Sequence, residues 1–112
     1  MHPAFKKLPL LSSALLVGLC CLAGPAAALD AKRQNELTHL VRQDCGSCHG
    51  LTLGGGLGTP LVPETLESAD TDALAEVILD GIHGTPMPPW RGLLTEVEAR
   101  WIAEHLKKGF PQ

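Results

Sequence analysis

Apolar residues recur with a helical rhythm in three stretches of this chain, and none alternates as a strand would. Leu37, Leu40 and Val41 fall at i, i+3 and i+4, which predicts a first helix over residues 29–44 with Asp30 as its N-cap. Leu74, Val77 and Ile78 repeat the spacing. They predict a second helix over residues 68–80, capped by Asp70 or Thr71 and stopped at Gly81. Val97, Trp101 and Ile102 mark the apolar face of a third, over residues 95–108. Thr95 and Glu98 form a capping box at its start, Lys107 and Lys108 suit the negative end of its dipole, and Gly109 and Pro111 end it. Residues 50–60 hold four glycines within five positions and read as a loop, and so does the Gly- and Pro-rich stretch 81–94. The pattern predicts an all-α domain without internal repeats.

The first 28 residues are different in kind. Lys6 and Lys7 precede an apolar run from Leu8 to Leu22, and Ala26, Ala27 and Ala28 follow with the small residues that a signal peptidase reads. Residues 1–28 are therefore expected to be a secretory signal and residues 29–112 the mature domain. The apolar run is short for a membrane span, which takes about 20 residues. Leu19 before Cys20 does not suit a lipoprotein signal. Cleavage removes Cys20 and Cys21, and contact with the membrane is expected only if the segment stays uncleaved.

Removing that segment also changes the charge. All 12 acidic residues lie beyond Ala28 against seven of the nine basic ones, a net charge of −5. This speaks against nucleic acid or an anionic membrane as partner and permits docking on a basic protein patch. The mature domain keeps only Trp90, Trp101 and Phe110 as aromatics. So small a core calls for a staple, and a protein stripped of one is expected to fold poorly.

The staple is legible in Cys45-Gly46-Ser47-Cys48-His49. Two thiols one helical turn apart, with histidine directly after the second, are the attachment signature of a c-type haem. Each sulfur forms a thioether with a porphyrin vinyl group, and His49 supplies an imidazole to the iron. A Cys-x-x-Cys alone would also suit a redox dithiol or half a zinc site. The Gly-rich loop lacks the lysine of a phosphate-binding motif and is expected to turn closely past a flat cofactor. For the opposite face of the iron the leading candidate is Met87, the sole methionine of the mature chain, set in Gly84-Thr85-Pro86-Met87-Pro88-Pro89-Trp90. Its competitor is His83 in the same loop. His105 is expected to face outward on the last helix, and His39 to be a surface or half-buried side chain.

Together these residues resemble class I c-type cytochromes over the whole mature chain. Residues 41–52 and 84–90 look most similar to the cytochromes c-55X of denitrifying bacteria. The resemblance implies a small class I cytochrome c fold, three to four helices around one covalently attached haem c, with the first and last helices crossing. It implies Cys45 and Cys48 as covalent haem attachments, and His49 and Met87 as axial iron ligands. A proline carbonyl beyond the motif would accept a hydrogen bond from the ligand histidine, with Pro60 and Pro63 as alternative registers. It further implies a monomeric periplasmic electron carrier, not an enzyme, whose partners are redox proteins: an upstream donor and the nitrite reductase containing c- and d-type haems. The competing readings are a haem-based sensor or an assembly factor for nitrite reductase maturation, and a zinc or dithiol protein.

Overall fold

Asp30 starts the first helix by accepting the backbone N–H of Arg33 on its side chain at 2.7 Å. The computed structural model describes residues 3–4 and 28–111, so the expected signal and its cleavage site fall largely outside the described residues. Helix α1 covers Ala31–Leu40. It then widens into a π-helical turn, Val41–Cys45, and tightens again into α2, Gly46–His49. The Gly46 N–H reaches back five residues to the Val41 carbonyl, the bond that defines the wider turn. A short α3 covers Pro63–Leu66, α4 covers Thr71–Asp80 and α5 covers Glu96–Lys108. Among the described residues there is no strand, and no helix is long and apolar enough to cross a membrane.

Helix α5 is the spine, packing against α3 and α4. Its buried arc is Glu98, Ala99, Ile102, Ala103 and Leu106. Leu37 and Val41 from the first helical arm join the same apolar cluster, as do Leu66, Ala75 and Leu79. Leu53, Leu94 and Phe110 close it from the loops. Each large aliphatic side chain buried in this way contributes about 1.5–3 kcal/mol. Ala99 and Ala103 are fully buried, and their small side chains leave room for close packing against α5.

Several expected faces are rotated. Val97 is 51% exposed because it lies opposite the buried arc of α5. Val77 is 38% exposed, and the inward positions of α4 are Ala75 and Leu79, flanked by Leu74 and Ile78. The second helix begins at Thr71 rather than residue 68, because the Asp70 side chain caps it through the Ala73 N–H at 2.9 Å. Trp101 lines a shallow cleft with Leu29 and Gln34 at the start of the first helix. His105 does not face outward. It is half-buried, stacked on Trp101 with ring centroids 3.9 Å apart, and its Nδ1 lies 2.7 Å from the Trp101 carbonyl oxygen.

Glu98 is more than a helix-start charge. It completes the capping box with Thr95 and also accepts a hydrogen bond from Arg33 Nε at 2.5 Å. This ion pair joins residues 65 apart and ties α1 to α5. Arg33 chiefly, together with the Thr95 backbone, holds the Glu98 carboxyl below its ordinary value of 4.5 against the opposing effect of burial.

Because the folded-state value is lowered, the stability that Glu98 contributes is complete above its ordinary range. It is lost as pH falls through the lowered value. Glu98→Gln keeps the shape and the bond to Thr95 but removes the charge. We expect it to cost about 1–2 kcal/mol at neutral pH. The difference should vanish at an acid pH below the lowered folded-state value, where the wild-type carboxyl is also neutral. Denaturant titrations of the haem-loaded protein at the two pH values measure this, and equal stabilities at neutral pH would assign the pair no net contribution.

Candidate haem site

The helical arm ends at His49, and the glycine-rich loop doubles back over that end. Gly55 and Gly58 donate their N–H groups to the carbonyls of His49 and Cys48, each at 2.8 Å. These bonds satisfy acceptors that a helix C-terminus leaves open. The loop then delivers the Thr59 carbonyl to within 2.7 Å of His49 Nδ1. A carbonyl can only accept, so Nδ1 carries a proton, and in the neutral imidazole Nε2 keeps its lone pair. The carbonyl that meets His49 is thus that of Thr59, rather than that of Pro60 or Pro63. Pro60 still matters, because the residue before a proline is pushed toward extended backbone.

Gly58 explains why this loop is built from glycine. A Cβ there would sit 2.6 Å from both Cε1 and Nδ1 of His49. The close approach is therefore to the imidazole itself, where the sequence suggested a loop passing a flat cofactor.

Cys45 is half-buried and packs on the core, while Cys48 is exposed. Burial, with a smaller effect from Asp44, pushes the Cys45 thiol up to about 11. Burial thus works against an activated, nucleophilic thiol at Cys45. Among the described residues no group of three or more His, Cys, Asp or Glu side chains is placed to hold a metal ion, so the zinc reading finds no support.

The Met87 arm leaves α4 at Gly81 and returns to it. Gly81 adopts φ +67°, and a Cβ there would lie 2.6 Å from the Met87 carbonyl oxygen. Ile82 N donates to that same oxygen at 3.3 Å. Trp90 N reaches the Leu79 carbonyl at 2.9 Å, and Arg91 pairs with Asp80 through two bonds at 2.8 and 3.1 Å. Met87 is half-buried while Pro86, Pro88 and Pro89 around it are exposed, and His83 is exposed as well.

The two arms border one core: Cys45, Leu61, Leu74, Ile78 and Trp90 all pack half-buried against it. Residues 45–63 and 81–90 contain no Asp, Glu, Lys or Arg, a feature that reading for motifs passed over. Charge-free arms suit a large apolar disc, since a charge buried without a partner is costly. Two thiols, an imidazole with a bare nitrogen and a thioether form a donor set that fits an iron porphyrin.

Known proteins agree with this chemistry. Residues 32–106 match the family described as cytochrome c oxidase, cbb3-type, subunit III. The chain is 60% identical over 92 residues to cytochrome c55X of Paracoccus denitrificans, covering 80% of this chain and 89% of that protein. Among solved structures, the c-type cytochrome NirC superposes with a TM-score of 0.70 at 50% identity, covering 71% of this chain and 94% of NirC. Dihydro-heme d1 dehydrogenase NirN superposes at 0.59 with 35% identity, covering 66% of this chain but 16% of that larger protein. The chain therefore belongs to the class I c-type cytochromes, electron-transfer proteins that carry covalently bound haem c, and is similar to the cytochromes c55X.

Proposed function

We propose that this protein is a periplasmic monohaem carrier of single electrons, delivering them to the nitrite reductase with c- and d-type haems. Cys45 and Cys48 hold the haem through thioether bonds, and His49 and Met87 ligate the iron. The observation that carries this reading is the His49 Nδ1 bond to the Thr59 carbonyl at 2.7 Å, which leaves Nε2 free as a donor. When bound, the haem supplies a one-electron iron couple. The Thr59 carbonyl orients the imidazole and raises the basicity of Nε2. The Met87 thioether favours reduced iron and so raises the potential. His49 and Met87 together would leave the iron no open position for a substrate, which supports a carrier rather than an enzyme. The signal pattern of residues 1–28 supports export, and the likeness to cytochromes c55X supports the nitrite reductase as partner.

A second reading is favoured by the likeness to NirN. There the protein serves in maturation of the reductase, taking electrons released when dihydro-haem d1 is dehydrogenated. Mixing reduced protein with the nitrite reductase and nitrite separates the two. Haem oxidation well above background is expected of the donor. Background rates there, with reduction of the ferric protein by dihydro-haem d1 and its dehydrogenase, would favour maturation.

Two substitutions address the site itself. Met87→His should keep the iron six-coordinate, abolish the red-edge absorption band of Met-ligated ferric haem and lower the midpoint potential. The drop should be on the order of 0.1 V, part of the ~0.8 V range that axial ligands span. An unchanged band and potential would remove Met87 from the iron. Gly58→Ala places a methyl against the His49 ring, so the yield of haem-loaded protein should fall severalfold, as read from haem absorbance per polypeptide. A normal yield would show that the loop yields to the ring at little cost.

A further inference from the structure

Residues 82–85 form a tight turn, closed by Thr85 N donating to the Ile82 carbonyl at 3.1 Å. Gly84 holds its third position with φ +79°, and His83 occupies the exposed second position at the outer corner. The Thr85 hydroxyl adds two bonds. It donates to the Ile82 carbonyl at 2.7 Å and accepts the Met87 N–H at 3.3 Å.

That last bond matters because of the prolines. Pro86, Pro88 and Pro89 have no N–H, so Met87 carries the only backbone donor of residues 86–89. The Met87 carbonyl accepts from Ile82 N. Both polar ends of the Met87 backbone are thus tied to the Ile82 turn, one directly and one through Thr85 Oγ1. Loss of the hydroxyl leaves the Met87 N–H without its protein partner and removes one of two bonds closing the turn on which His83 sits. His83 lies four residues from Met87, and imidazole is an alternative iron ligand to thioether.

We propose that the Thr85 hydroxyl is the positioning group that presents Met87, and not His83, to the iron. This rests on the reading of Met87 as axial ligand. Thr85 touches neither iron nor haem in this role. It acts through the Met87 backbone, and because its bonds are exposed, water offsets part of their loss. The effect is a severalfold shift in ligand population and not its abolition.

The experiment uses haem-loaded wild type, T85V, T85S, H83A, H83A/T85V and M87A. It reads the red-edge band of the ferric protein, the midpoint potential and the affinity for added imidazole. T85V should weaken the band and lower the potential, and T85S should restore both. H83A/T85V should regain the band, since the competitor is gone, yet bind imidazole about fivefold more tightly than H83A. The proposal is overturned if T85V matches wild type in band and potential. It is overturned equally if T85S fails to rescue, if the band does not return in H83A/T85V, or if the two H83A proteins bind imidazole within about twofold of each other. M87A isolates the underlying reading. Loss of its band upholds Met87 as ligand whatever Thr85 does, and a retained band removes Met87 and the proposal with it.

Discussion

Everything at the candidate site depends on one carbonyl reaching one imidazole nitrogen. His49 Nδ1 lies 2.7 Å from the Thr59 oxygen, so the ring has a fixed tautomer and a fixed orientation before any iron is considered. The loop that achieves this must close within ten residues and pass over the face of the ring. Gly58 is what permits that passage, because any side chain there would occupy the space of the imidazole. The N–H groups of Gly55 and Gly58 meanwhile close the end of the helical arm. Helix termination, ring orientation and donor preparation are one piece of structure.

The rest of the fold holds the two arms against a common core. The first arm is braced through Arg33 and Glu98, which fasten α1 to α5, and Arg42 donates to the Pro111 carbonyl beyond α5. The Met87 arm is braced at both ends on α4, through Gly81 and through Trp90 and Arg91. Charge follows the same division. Beyond Ala28, acidic and basic side chains lie on residues 30–44, 64–80 and 91–108, and the arms between them carry none. Ionic contacts set the scaffold, and apolar and neutral polar groups make the site.

Motif chemistry was the most legible part of this protein, because it is local. Cys45, Cys48 and His49 share one helical turn, and the prolines around Met87 restrict the backbone wherever that loop lies. Caps were legible for the same reason: Asp30, Asp70 and the Thr95–Glu98 box each act within three residues. Helix faces were less so. Three apolar residues define an arc only to within about one position, or about 100°. The exposed Val77 and Val97 are the outcome of that uncertainty. His105 looked like a surface residue because its cover comes from the Trp101 ring and from Phe110, which folds back from beyond the end of the helix.

By itself, then, the chain determined its helical class, its caps, its haem motif and the loop bearing the candidate sixth ligand. Each of these follows from residues within a turn or two of one another. Tertiary structure decided that Thr59, and not a proline, meets His49. It also decided that Glu98 serves α1 as well as its own helix, and that Gly81 makes room for Met87. Each of these contacts joins groups that chain geometry leaves far apart until the core closes. The loop that folds back on the helix end brings the Thr59 carbonyl, and burial of the apolar arcs brings α1 and α5 close enough for Arg33 to meet Glu98.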